Sequence, residues 1–150
     1  MNVMVLIAGV QDPKWPVTPA TALSGTADRP AIMSPFDEAA LEMALRVRDA
    51  DPSAEIAIRV AGRVACSRIA RTAAALRVED VATVNMAQSW DQAATARVLA
   101  ELCGSTELVL IGREFGDLDD GLIPGMIAAH LNRQFFGRAQ TLSTACGVRF

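Results

Sequence analysis

Short apolar runs alternate with amphipathic stretches along the chain. Residues 3–9 form an unbroken apolar run that ends at a glycine, which is typical of a strand buried on both faces of a parallel sheet. Further runs predict strands over residues 54–61, 81–86, 107–111 and 138–143. The stretches between them predict helices over residues 34–49, 63–77, 91–103 and 122–132.

The first predicted helix has the clearest start signal. Ser34 suits the N-cap, Pro35 suits the first helical position, and Asp37 follows three residues after the cap, as in a capping box. Ser89 or Asp91 is the corresponding cap predicted for the third helix. The chain between the first strand and the first helix differs, because residues 11–33 contain four prolines and no helical period. They predict a long loop.

The order of these elements predicts the fold class. Strands that alternate with helices form a mainly parallel sheet with helices on both faces, so we expect a Rossmann-like three-layer α/β/α domain over residues 1–150. Ligands of such sheets bind outside the carboxyl ends of the strands, where the strand order switches. The candidate site is therefore lined by residues 8–16, 61–66 and 112–125.

The composition argues against several classes of function. The net charge of −3 argues against nucleic-acid binding, which normally needs a basic face. The longest apolar run is too short to cross a bilayer and no secretory signal is visible, so we expect a cytoplasmic protein without membrane insertion. Cys66, Cys103 and Cys146 lack metal-site spacing. Cys66, Cys103 and His130 lie among apolar residues, which favours structural roles over catalysis.

An acidic group at Asp117, Asp119 and Asp120 carries the most informative chemistry, and three interpretations stay open. The group is a solvated loop whose charge favours the start of the next helix. Alternatively, its carboxylates accept ribose hydroxyls while amides of the helix start hold phosphate. The third interpretation is a Mg²⁺ site. A P-loop and a dinucleotide fingerprint are excluded, because neither glycine motif is present.

Four stretches carry motifs. Residues 34–50 read SPFDEAALEMALRVRDA, and residues 108–131 read LVLIGREFGDLDDGLIPGMIAAHL. Residues 69–80, IARTAAALRVED, and residues 5–13, VLIAGVQDP, add weaker patterns. All four stretches resemble motifs of electron transfer flavoprotein β subunits. Residues 34–50 resemble N-P-F-[DC]-E-x-A-[LV]-E-x-A-[LV]-R-[LV]-K, and residues 108–131 resemble L-[VI]-L-x-G-[KR]-Q-A-x-D-x-D-x-x-Q-x-x-x-x-[ML]-A-x-x-L. Residues 69–80 resemble T-[LI]-R-x-A-L-A-M-G-A-D, and residues 5–13 resemble V-L-V-x-[IV]-K-Q-V-P-D.

The resemblance implies an adenine-nucleotide-binding type of fold and a β subunit that pairs with a larger α subunit. In that family the redox-active FAD sits mainly in the α subunit, and the β subunit holds AMP or, in electron-bifurcating members, a second FAD. The expected role is electron carriage between acyl-CoA or other dehydrogenases and a quinone-linked acceptor. We expect no autonomous catalysis by this chain.

Carried over residue by residue, the resemblance implies cofactor contacts at the strand ends. Ala8 would meet adenine through its backbone, and Trp15 stands where some members place an aromatic side chain near the flavin. Asp117, Asp119 and the amides of residues 121–125 would face ribose and phosphate. The complete implied set of cofactor-binding residues is Ala8, Trp15, Ser34, Ala61, Gly62, Cys66, Asp117, Asp119, Gly121, Leu122, Ile123, Pro124 and Gly125.

Four positions depart from the family motifs. Val10 replaces a Lys, Ser34 an Asn, Arg77 a Gly and Leu122 a Gln. A lost polar contact removes roughly 0.5–1.5 kcal/mol, so we expect weakened AMP binding. Family β subunits also continue past residue 150, so this chain is expected to be either a divergent short paralogue or a truncated product, of which we favour the truncated product.

Two other functions fit the residues. One is a free-standing adenine-nucleotide-binding regulatory domain, which would bind AMP or ATP stably without a partner. The other is a small nucleotide-processing enzyme that uses the acidic group with Mg²⁺. Metal-dependent turnover that Asp119→Asn abolishes would identify the enzyme.

Overall fold

A computed structural model describes residues 1–16, 18–19, 31–62, 66–86, 91–117 and 119–143. The apolar runs form the strands β1 (Asn2–Gln11), β2 (Ala31–Met33), β3 (Glu55–Gly62), β4 (Asp80–Asn85) and β5 (Leu108–Ile111). The amphipathic stretches form the helices α1 (Pro35–Ala50), α2 (Ser67–Ala74), α3 (Gln92–Cys103) and α4 (Ile123–His130).

Strand β1 lies at the centre of the sheet. It pairs in parallel with β3 on one edge and with β5 on the other, and β3 pairs in parallel with β4. The parallel strands therefore lie in the order β5-β1-β3-β4. The order switches at β1, because β3 follows it on one side while β5 is added on the other. This topology confirms the mainly parallel α/β fold class.

The edge of β1 that faces β5 contains a gap in strand pairing. The pairing with β5 ends at Leu6, and an antiparallel pairing with β2 begins at Gly9. Ile7 and Ala8 therefore have no strand partner on this edge among the described residues. We call this two-residue interval the β1 fork. It lies at the carboxyl side of β1, next to the switch in strand order.

Two cores explain why β1 is apolar at successive positions. Alternate residues face opposite sides of a strand, so one set packs under α1 and α2 and the other under α3 and α4. The first set is Val3, Val5 and Ile7, and the second is Met4, Leu6 and Ala8. Both faces of the central strand are thus covered by helices.

Several boundaries differ from the sequence predictions. Part of the predicted long loop, Ala31–Met33, forms β2, and residue 17 and residues 20–30 of that loop lie outside the described residues. The helix predicted over residues 63–77 is limited to α2, and residues 63–65 also lie outside the description. The turn after α2 explains its early end, since Arg77 adopts a φ of 61°.

The strand predicted over residues 138–143 is wrong. Residues 138–142 are irregular, and Ser143 forms only an isolated bridge. Arg138 has a φ of 63°, which is incompatible with an extended strand. Of the helices described, none combines the length and apolarity needed to span a bilayer.

Candidate functional site at the carboxyl ends of β1 and β5

The start of α1 confirms the predicted capping box. The Asp37 amide donates a hydrogen bond to Ser34 Oγ at 3.0 Å, and the Ser34 amide donates to Asp37 Oδ2 at 3.4 Å. Ser34 is buried, so its hydroxyl serves α1 in this structure. The position that the resemblance associates with cofactor binding therefore has a structural role as a helix cap.

Asp37 is the least expected feature of this site. Its side chain is 0% exposed, and its Oδ1 atom has no hydrogen-bond partner among the described residues. Burial raises the pKa of Asp37 to about 7, opposed by Ser34 and by the nearby Ala8 amide, which favour the ionised form. The sequence identified Asp37 only as part of a cap, because the capping motif carries no information on burial.

Gly112 explains how α1 comes so close to the end of β5. A Cβ atom at position 112 would lie 3.0 Å from the Phe36 carbonyl carbon and 3.1 Å from the Asp37 amide nitrogen. Real Cβ atoms rarely approach backbone atoms this closely, so any larger residue would displace the start of α1. The glycine that ends β5 therefore allows the close contact that buries Asp37.

Asp119 organises the loop between β5 and α4. Its Oδ2 accepts from the Phe115 amide at 2.9 Å. Its Oδ1 accepts from the amides of Gly121 and Leu122 at 2.9 Å and from Ile123 at 3.2 Å. A buried carboxylate thus satisfies four backbone donors and holds the first amides of α4.

The other two members of the acidic group also bind parts of the chain. Asp117 Oδ2 accepts from the Gln11 amide at 3.0 Å and fastens the loop to the end of β1. Asp120 Oδ1 accepts from Gln92 Nε2 at 3.3 Å, at the start of α3. Among the described residues, no group of three His, Cys, Asp or Glu side chains could hold a metal ion. These contacts favour the loop interpretation over a Mg²⁺ site.

Three of the amides expected to face phosphate are occupied in this structure. Those of Gly121, Leu122 and Ile123 converge on one Asp119 oxygen, and Pro124 has no amide hydrogen. Convergent amides at a helix start suit an anionic oxygen, so their chemistry fits a phosphate. A phosphate at this place would have to displace the Asp119 carboxylate.

At the neighbouring ends of β1 and β3, the Cys66 side chain fills the space on the side of the sheet that α2 covers. Ala8 and Ala61 are register partners and both are buried. The Cys66 thiol donates to the Ala61 carbonyl at 3.6 Å and fills the space beside Gly9 and Gly62, where a Cβ atom would lie within 2.9 Å of its sulfur. Burial raises the pKa of the Cys66 thiol, which keeps it protonated and unreactive.

The remaining predicted residues lie at more exposed positions. Trp15 is 45% exposed in the turn after β1, where its amide donates to the Asp12 carbonyl at 3.0 Å. Leu122 is 51% exposed at the start of α4, and Gly125 is half-buried in the first turn of that helix. The strand topology places these residues at the same end of the sheet as Ala8 and Gly112.

Cys103 and His130 lie in different environments. The Cys103 thiol donates to the Leu99 carbonyl at 3.3 Å, and burial raises its pKa to about 11. His130 is the last residue of α4 and is exposed. It does not lie in the apolar environment that the sequence suggested. Cys146 lies outside the described residues.

Comparison with known proteins adds one finding to this geometry. The family model for the electron transfer flavoprotein domain matches residues 24–148. No curated protein matches the sequence significantly. The matched span includes α1 with its capping box, β3, β5 and the Asp119 loop. The chain therefore belongs to the electron transfer flavoprotein domain family.

Proposed function

We propose that the chain is a β-like subunit of an electron transfer flavoprotein. In this role it holds AMP or FAD and pairs with a FAD-bearing α subunit. Electrons pass between acyl-CoA or other dehydrogenases and a quinone-linked acceptor, and this chain contributes no catalysis of its own. The family match over residues 24–148 carries the proposal.

The proposed nucleotide site lies at the carboxyl ends of β1 and β5. Two features support this placement: the β1 fork borders the switch in strand order, and the amides of the Asp119 loop converge on one carboxylate oxygen, whose place a phosphate oxygen would take. AMP would serve as a structural ligand, whereas FAD would supply the electron-carrying ring. The chain's own contribution is to position and enclose the nucleotide.

Identification of the bound small molecules tests this function. The chain is purified alone and after co-expression with an electron transfer flavoprotein α subunit from the same genome, then denatured, and the released molecules are identified by mass spectrometry. We expect equimolar AMP or FAD from a yellow complex. An empty chain that captures no α subunit would contradict the proposal. Stoichiometric AMP or ATP in the chain alone would instead support the free-standing regulatory domain.

Leu122→Gln tests the position of the phosphate site. Leu122 is 51% exposed at the start of α4, so glutamine fits without repacking and restores a side-chain donor. We expect AMP affinity to rise by roughly 2- to 10-fold, the equivalent of one hydrogen bond, measured by calorimetry. Val98→Gln is the matched control, because it makes a similar change at an exposed site on α3. Equal affinities in the two variants would count against this site.

A further inference from the structure

The first turn of α1 covers the β1 fork with a carboxyl group. Asp37 is 0% exposed, and no group in the described part of the chain forms a hydrogen bond with its Oδ1 atom. Its other oxygen, Oδ2, accepts a long hydrogen bond of 3.4 Å from Ser34. The Ala8 amide, which belongs to the fork, also favours the ionised carboxylate. An ionised Asp37 would therefore be a buried charge with few compensating contacts.

No ionisable side chain of the adjacent strands offers compensation. The described strands β1, β2 and β5 contain none. On β3, Glu55 lies at the opposite end of the strand. Arg59 faces away from the α1 layer and pairs through both Nη atoms with Asp80, at 2.7 and 2.9 Å. The described strands thus supply no counterion for an ionised Asp37.

The helix and loop residues that the structure describes around Asp37 do not provide a counterion either. Glu38 raises the pKa of Asp37 through its negative charge. The Arg113 guanidinium lies over the Phe36 ring, 6.0 Å from its centroid, and is directed to Glu114 at 3.8 Å. Asp117 is negative and is held by the Gln11 amide. Ionisation at neutral pH therefore acts against the closed arrangement.

We propose that Asp37 is a proton-operated latch: its neutral carboxyl keeps the start of α1 closed over the β1 fork, and its ionised carboxylate releases that turn so that water reaches the fork. The released turn moves away from Gly112, where the lack of a side chain permits the close approach of Phe36 and Asp37 in the closed state. The latch gives the carboxyl end of β1 a pH-dependent accessibility. It goes beyond the proposed function and needs no bound nucleotide.

Amide hydrogen exchange tests the latch directly. With a pKa of about 7, Asp37 is about one-tenth ionised at pH 6 and about nine-tenths at pH 8. We expect the protection of the Ala8 and Glu38 amides, corrected for intrinsic exchange, to fall about tenfold between these pH values. Asp37→Asn removes the ionisation and should keep protection constant. Asp49→Asn, at an exposed site on the same helix, should behave like the unmodified chain.

Carboxyl carbon NMR of the unmodified chain provides an independent test if Asp37→Asn does not fold. A titration midpoint for Asp37 near neutral pH, accompanied by the loss of protection, supports the latch. A midpoint below pH 5, or protection that is unchanged across the titration, overturns it. A loss of protection that persists unchanged in a folded Asp37→Asn variant also overturns it.

The pH dependence of stability supplies a third readout. The unfolded chain releases the Asp37 proton near the ordinary value of 3.8, whereas the folded chain retains it to about 7. The free energy of unfolding should therefore fall as the pH rises through this window, and Asp37→Asn should remove that slope. Asp51 and Asp80 have lowered pKa values, so their contributions are lost only at lower pH. A slope that persists in Asp37→Asn would contradict the latch.

Discussion

Asp119→Ala is expected to lower the free energy of unfolding by about 2–4 kcal/mol. The carboxylate accepts four backbone hydrogen bonds, from Phe115, Gly121, Leu122 and Ile123. Two of these bonds, from Phe115 and Ile123, are buried. Alanine leaves their donors without a partner, and unsatisfied buried donors cost more than the net gain of the bonds. The loop and the first turn of α4 should loosen together.

Urea denaturation of matched variants checks this expectation. Asp120→Ala is the control, because Asp120 is exposed and, among the described residues, accepts one long side-chain bond, from Gln92 at 3.3 Å. It should change stability by less than about 0.5 kcal/mol. Asp119→Asn keeps a neutral acceptor, so its free energy of unfolding should lie between those of the two alanine variants. Equal midpoints for Asp119→Ala and Asp120→Ala would show that the carboxylate does not organise the loop.

Gly112→Ala is expected to destabilise the fold by about 1–3 kcal/mol. The added methyl group meets the backbone of Phe36 and Asp37 at 3.0 to 3.1 Å, and backbone atoms cannot rotate away as a flexible side chain can. The start of α1 must shift, which weakens its capping box and exposes the β1 fork. Thermal unfolding measures the loss of stability, and hydrogen exchange of the Asp37 amide measures the shift at the start of α1.

Gly125→Ala is the matched control for this prediction. A Cβ atom at position 125 makes only an ordinary contact, 3.9 Å from the Phe135 ring. Gly125 lies within α4, where alanine is the better helix former, so the change should be neutral or stabilising by up to about 1 kcal/mol. If Gly112→Ala matches Gly125→Ala, α1 does not depend on the close approach to β5.

The elements that the sequence predicted well are those whose signals are local. The apolar run of β1 and the Ser34 cap of α1 depend on residues that are near neighbours in the chain. β2 was missed because a three-residue strand carries too little pattern, and it forms by pairing with β1 across a long segment. At Arg138 the predicted strand fails because the backbone turns there.

At the candidate site, the position of the acidic loop was predictable but its contacts were not. Glycine-ended strands placed it at the carboxyl end of the sheet, and the acidic loop is indeed fastened there through Asp117 and Gln11. The sequence could not show that Asp119 faces backbone amides, because its partners are set by how the loop closes. The buried Oδ1 of Asp37 likewise results from tertiary contact between α1 and Gly112.

Native mass spectrometry of the co-expressed pair tests the central claim most directly. The claim is that this chain works as the nucleotide-holding subunit of an electron transfer flavoprotein. It predicts a heterodimer whose mass exceeds the two polypeptides by an FAD in the α subunit and a further AMP or FAD in this chain. A chain that remains without an α subunit, or a heterodimer whose mass shows no nucleotide in this chain, would contradict it.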